Sequence, residues 1–256
     1  MVRIVAHRGG RQLAVENTLA AFQNAVASGC DGVEIDMVLS RDGHLMAFHD
    51  DSLQRMTGVD ARVWDLTAHE LGALSLRTPE DRPLPGTGEG IHTLDTVAAA
   101  LPSQVDLVLD TKHDDRECPG LSDALVRFCQ AWGAGRVSVL SVHHDFLRDF
   151  ARRVPEARVL FNYRVPVEPT GIPNFDGRAG LAVGMRALTP AMLVEARTRQ
   201  WPVYLWTPNT GQELEVAMGL GVSHVITDAI DVALAQRRAW AFTGGRCDDV
   251  GGTAAV

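Results

Sequence analysis

The sequence predicts a (β/α)8 barrel, and three observations carry that prediction. Short β-branched apolar runs alternate with longer helical patterns almost from end to end, the runs number eight, and the chain is 256 residues long. Eight strand-and-helix units in about 250 residues is the usual size of such a barrel. A doubly wound open sheet is the competing α/β architecture, but the glycine-rich dinucleotide fingerprint expected after its first strand is missing.

The predicted strands are 3–6, 32–38, 106–110, 137–142, 158–163, 180–185, 202–207 and 224–227. Helical patterns fall between most of them, at 17–28, 120–132, 145–154, 190–199, 212–220 and 229–240. Two stretches break the rhythm. After the second strand, "VLSRDGHLMAFHD" reads as a β-hairpin extension in which Asp42-Gly43 supplies the positive-φ turn, so a returning arm ends at His49. The following segment holds one short helical pattern, 67–74, and the Pro/Gly-rich "RTPEDRPLPGTGEG"; it reads as a rim insertion over about 51–92. Between 163 and 179, Pro166, Pro169 and Pro173 discourage the fifth helix, leaving a loop that is a candidate lid. A single domain over 1–242 and a flexible Gly-rich tail over 243–256 complete the expected organisation.

With 46% hydrophobic and 22% charged residues, the chain can bury a large core. A net charge of −8 with scattered arginines argues against a nucleic-acid surface. Cys30, Cys118, Cys129 and Cys247 form no CxxC pair and read as reduced thiols. The opening "MVRIVAHRGG" runs straight into a strand pattern, without the apolar segment of a signal peptide, and no window approaches 18 uninterrupted apolar residues. A soluble cytoplasmic protein with no integral membrane association is expected; its oligomeric state stays open.

In such a barrel, reactive groups sit where strands end and loops begin. The first predicted strand ends in His7-Arg8-Gly9-Gly10, the second carries Glu34 and Asp36, its returning arm ends in His49-Asp50, and the third gives Asp110-Thr111-Lys112. Period-two geometry turns Glu34 and Asp36 to one side and Val33, Ile35 and Met37 to the other. A barrel's inward face is not solvated in bulk, so buried carboxylates there need a cation. With Asp110 as a third oxygen ligand and no cysteine, a hard ion, Mg²⁺ or Ca²⁺, fits better than zinc; a plain Asp110–Arg8 salt bridge is the simpler alternative. Of 24 Lys+Arg residues, 23 are arginine, and Lys112 is the sole lysine. Its parity matches that of Asp110, and a compact ammonium suits a point contact to one phosphate oxygen. His7 and His49 flank the acids, and imidazole titrates near neutrality, as acid/base roles require. His44, His69, His113, His143, His144 and His224 read as incidental, and His92 lies on the rim. Gly9 and Gly10 leave amides free for an anion, while Glu16-Asn17-Thr18 reads as capping of the first helix.

Assembled, these residues resemble the glycerophosphodiester phosphodiesterase family. The matching pieces are "HRGG" (7–10), "ENTLAAFQNAVASGCDGVEIDMVLSRDGHLMAFHDDSLQRMTG" (16–58), "TL" (93–94), "DTK" (110–112), "WTPN" (206–209) and "GVSHVITDAID" (221–231). The resemblance implies a (β/α)8 barrel that uses a divalent cation to hydrolyse glycerophosphodiesters to sn-glycerol 3-phosphate and an alcohol. It implies His7 and His49 as the acid/base pair, Arg8 and Lys112 on the phosphate, and Glu34, Asp36 and Asp110 on the metal. Glu16 would sit near the substrate and Trp206 would line the mouth. Three positions depart from the family's pattern: Asp110 where Glu is usual, His92 where Pro is usual before Thr-Leu, and Ser141-Val142-His143 at the end of the fourth predicted strand. Two rival readings remain, a sphingomyelinase D-like or phosphoinositide phospholipase C-like barrel acting on a lysolipid or phospholipid, and an inactive barrel kept as a scaffold.

Overall fold

The structure, a computed structural model, describes residues 1–78 and 84–242. The predicted tail at 243–256 and part of the Pro/Gly-rich stretch lie outside the described residues. Among the described residues, eight parallel strands form the barrel: β1 (Arg3–Ala6), β2 (Gly32–Leu39), β4 (Asp106–Thr111), β5 (Val137–Ser141), β6 (Arg158–Tyr163), β7 (Ala179–Gly184), β8 (Val203–Trp206) and β9 (His224–Thr227). They follow in the order β1-β9-β8-β7-β6-β5-β4-β2, and β1 pairs with β2 to close the ring. Closure excludes the open doubly wound sheet. A ninth strand, β3 (Leu45–Ala47), runs antiparallel along β2 as the predicted returning arm.

Alternation along each strand sorts the side chains into two cores. Val33, Ile35 and Met37 pack outward against the helix layer, with Phe22 of α1 (Leu19–Ser28), Leu125 of α5 (Leu121–Trp132) and Phe150 of α6 (His144–Arg153). Val5, Val108, Leu140, Leu160, Ala182, Tyr204 and Ile226 fill the barrel's interior. Glu34 is registered to Val108, so it shares the inward parity, as does Asp36 two residues on. Each strand carries apolar residues on both faces, which is why the runs read as continuous rather than alternating.

A third apolar cluster lies beneath the segment after β2. Val38, Met46, Phe48, Leu53, Met56, Val63, Leu71, Leu76 and Ile91 are buried together. This cluster gathers β3, α2 (Gln54–Thr57) and α3 (Ala68–Gly72) into a small mass on the rim, and it fixes where His49 leaves β3. Chain direction then returns to the barrel through α4 (Leu94–Ala100), capped by Thr93, whose Oγ1 accepts from Thr96 N at 3.1 Å. The ring is completed by α7 (Pro190–Thr198), α8 (Gly211–Gly219) and α9 (Ile230–Phe242).

The prolines after β6 allow one 3-10 turn, Pro169–Gly171, and no α-helix. Ile172 is buried on the barrel's outer core, Phe175 packs edge-on to Phe161, and Tyr163 Oη donates to Gly171 O at 3.2 Å. These contacts anchor the loop as a wall, against the expectation of a lid. Cys30, Cys118 and Cys129 are free and buried; no described helix is long and apolar enough to cross a membrane.

Candidate active site

The site begins at a backbone that only particular residues tolerate. Arg8, Gly9 and Gly10 take φ of 52°, 84° and 93°, three consecutive left-handed residues at the end of β1. A Cβ on Gly9 would meet Ala21 Cβ at 2.6 Å, so glycine there is required by space as well as by φ. The turn aims the Arg8 amide at Glu34 Oε2, to which it donates at 2.9 Å. The Arg8 side chain then pairs with Asp36 (Nε to Oδ2, 3.0 Å) and with Glu16 (Nη1 to Oε1, 3.0 Å).

Register between β2 and β4 sets Asp36 directly opposite Asp110, with Glu34 one pleat below. One oxygen from each of Glu34, Asp36 and Asp110 can be chosen so that all lie within 4.8 Å of one another. Burial, and then the neighbouring Asp36, push the Glu34 carboxyl up, and burial raises that of Asp110 as well. For Asp36, burial works in the same direction but Lys112 and Arg8 overcome it and hold the acid below its usual range. Lys112 Nζ donates to Asp36 Oδ1 at 2.8 Å and also bonds Asp110. Glu34 has no such cation on it: its partners are the Arg8 amide and, at 4.0 Å, His7 Nε2. Three buried acids, all oxygen donors and one with no Lys or Arg side chain bonded to it among the described residues, fit a divalent hard cation.

Each of the two histidines is held from behind by a carboxylate. His7 Nδ1 donates to Asp228 Oδ1 at 2.7 Å, and His49 Nδ1 donates to Asp50 Oδ1 at 2.6 Å. A carboxylate only accepts, so the proton sits on Nδ1 in both rings and Nε2 is the free nitrogen. Burial would lower the His7 pKa, but the Asp228 and Glu34 carboxylates outweigh it and the net shift is upward. Asp228 is itself fixed by Asn209, whose Nδ2 donates to Oδ2 at 3.1 Å and whose Oδ1 accepts the Asp228 amide at 2.8 Å. Asp50 takes Arg55 Nε at 2.5 Å, and Arg55 Nη2 reaches Glu16 Oε1 at 2.6 Å.

A cavity of about 340 Å³ opens over this assembly, lined by His7, Arg8, Glu34, His49, Asp110 and Lys112, with Trp206 on its wall. Trp206 Nε1 donates to Asn162 Oδ1 at 3.1 Å, which fixes the indole. Glu16 is not on this cavity. It lies behind Arg8 and is shared by Arg8, Arg55 and Arg11, the last at 3.4 Å.

The family model for the glycerophosphoryl diester phosphodiesterase family matches residues 7–232. The chain belongs to this family. A glycerophosphodiester phosphodiesterase of Caldanaerobacter subterraneus is 28% identical over 228 residues, covering 88% of this chain and 93% of that protein. A human lysophospholipase D is 25% identical, covering 88% and 82%. Among solved structures, a putative glycerophosphoryl diester phosphodiesterase from Silicibacter pomeroyi superimposes with a TM-score of 0.82 at 20% identity, covering 93% and 94%. An Oleispira antarctica phosphodiesterase, solved with the product sn-glycerol-3-phosphate, gives 0.79 at 24% identity, covering 92% and 96%.

For this glycerophosphoryl diester phosphodiesterase barrel, the sequence reading gives no site role to Asn17, Asp50, Arg55, Asn209 or Asp228. In sequence Asn17 reads as part of a helix cap. Instead it sits at φ 57°, donates from Nδ2 to Asp36 Oδ2 at 3.0 Å and accepts the Asp36 amide at 3.3 Å. Only Thr18 caps α1, its Oγ1 accepting from Ala21 N at 3.1 Å. A signal for Asp228 did exist: it is the acid directly after the last strand, in "TDAID", where strand-end logic applies as it does to His7.

Proposed function

We propose that the protein hydrolyses glycerophosphodiesters to sn-glycerol 3-phosphate and an alcohol. The observation that carries the reading is a cavity lined by two Nδ1-anchored imidazoles and by Glu34 and Asp110, with Asp36 clustered beside those two acids. Glu34, Asp36 and Asp110 are the residues that would hold a divalent cation, Mg²⁺ or Ca²⁺. Bound there, it supplies charge neutralisation at the phosphoryl oxygens.

Arg8 and Lys112 bring two further positive charges to the same oxygens, where such sites gain much of their rate. His7 borders only the inner cavity, whereas His49 also borders the wider basin outside it. That asymmetry supports distinct roles. Nε2 of His7 takes the proton of the attacking hydroxyl, and His49, entering the step with a second proton on Nε2, gives that proton to the departing alkoxide. Asp228 and Asp50 keep each ring in the required tautomer and orientation. Trp206 lines the substrate's side of the cavity, and Glu16 positions Arg8 rather than touching substrate.

Glycerol 3-phosphate release from glycerophosphocholine, with and without chelator and with Mg²⁺ or Ca²⁺ restored, tests the reading. Activity that ignores the chelator removes the metal from it. A lysolipid substrate is a second reading, favoured by the human relative's lysophospholipase D name and by Val142, exposed in the outer basin. Faster choline release from lysophosphatidylcholine than from glycerophosphocholine would select it.

A further inference from the structure

The inner cavity opens outward into a basin of about 770 Å³, and His49, Lys112 and Arg164 line both spaces. A substrate phosphate held by the inner cations therefore has its leaving alcohol, on the His49 side, directed into this basin. What recognises that alcohol depends on which charges in the basin are uncommitted. Asp50 is taken by His49 and Arg55, and Asp51 Oδ1 is taken by His113 Nε2 at 2.8 Å. Arg55 is spent on Asp50 and Glu16, and Lys112 on Asp36 and Asp110.

Arg164 is different. It follows β6 directly, is exposed, and forms no close ion pair or hydrogen bond with a described residue, its charge reaching Asp110 only at longer range. The basin's lining includes no Trp, Tyr or Phe, so it offers no aromatic face for a quaternary ammonium. Of the basin's three cations, Arg55, Lys112 and Arg164, Arg164 is the one with no carboxylate bonded to it among the described residues.

We propose that this basin is the alcohol subsite and that Arg164 makes it selective for alcohols bearing a negative group, a carboxylate or a second phosphate. The inference rests on the hydrolase reading above and names its substrate class. The molecule's net charge of −8 repels anions at long range. A preference for an anionic alcohol must therefore be local, must depend on Arg164, and must weaken with salt.

The test compares kcat/KM for four glycerophosphodiesters: glycerophosphocholine (cationic alcohol), glycerophosphoglycerol (neutral), its glycerate counterpart (carboxylate) and bis(glycerophospho)glycerol (phosphate). The wild type is expected to favour an anionic alcohol over the neutral one about tenfold, mostly through KM, as one close, partly solvated charge pair allows. Comparing the glycerate and phosphate arms identifies which anion is preferred. Arg164→Gln should bring that ratio to about one, Arg164→Lys should restore part of it, and Arg164→Glu should turn it towards choline. An unchanged ratio in Arg164→Gln overturns the inference. So does a fall that is equal for all four substrates, because Arg164 would then serve the transferring phosphate. Glycerol 3-phosphate release from the neutral substrate separates the two levels: with it, only the ratio is in question, and without it on any substrate the hydrolase reading itself fails.

Discussion

At the scale of single residues, the site is a chain of ion pairs in which each group that would meet substrate is held by another that would not. Asp228 behind His7 is the clearest case. Asp228→Asn removes the carboxylate that outweighs burial at His7, so the His7 pKa should fall, and kcat should drop by about 10²–10⁴. Imidazole NMR titration checks the first and steady-state kinetics the second; an unmoved His7 pKa would show that the pair at 2.7 Å is not the source of the upward shift. His49→Ala and Glu34→Ala should each retain the fold by circular dichroism and cost several orders of magnitude in rate. Lys112→Arg tests why the sole lysine stands where it does. Its ammonium bridges Asp36 and Asp110, a gap that suits a compact tip better than a planar fork. A loss of more than about tenfold is expected, and wild-type turnover would mean that any cation serves. His7, Arg8, Glu34, Asp36, His49, Asp110 and Lys112 were legible because each sits within two residues of a strand end or on an inward parity. Asp228 meets the same strand-end criterion; what the sequence did not show is its role, because the ring it holds lies 221 residues away in the chain. Asn17 was not legible, because its left-handed backbone follows from what it holds and not from its neighbours.

Elements show the same division between local and long-range information. Strand positions followed from β-branched runs, and the observed strands differ from the expected ones by a residue or so at their ends. The four-residue helix α2 carries too little periodicity to be read, and the predicted helix at 17–28 starts at Leu19 because Asn17 has left the helical region. The most consequential element is the rim mass, whose own apolar cluster holds the β2–β3 hairpin and so the exit of His49. Leu53 and Leu71 are fully buried there. Leu71→Ala should destabilise this mass by about 2–5 kcal/mol. The expected signature is faster amide exchange over 45–76 and reduced activity while the barrel strands stay protected. Uniform loss of protection across the barrel would mean that rim and barrel unfold as one unit.

For the whole molecule, the floor of the barrel sets acid tolerance. His224 stacks on Tyr204 with centroids 3.8 Å apart, and its pKa is pushed down to about 3, first by burial and then by Arg3 and Arg158. Folded protein keeps this ring neutral, while the unfolded chain protonates it near 6.5. Stability is therefore complete above about pH 6.5 and declines as pH falls towards 3. His224→Phe keeps a ring against Tyr204 without the proton site. Its unfolding free energy should vary less with pH across that window, measured by denaturant titration at pH 7, 5.5 and 4; parallel curves for both proteins would count against the assignment. The barrel itself was legible as a count of runs. With the barrel comes the pairing of the first strand with the last, which closure requires and which β1 and β9 make.

That seam has a consequence for the chain as it leaves the ribosome. The acidic cluster is complete once β4 has emerged, but the imidazole of His7 lacks its anchoring carboxylate until the segment beyond β9 docks against β1. A nascent chain would thus carry all three acids well before His7 had its anchor, and hydrolytic competence would arrive as a late event when the ring shuts.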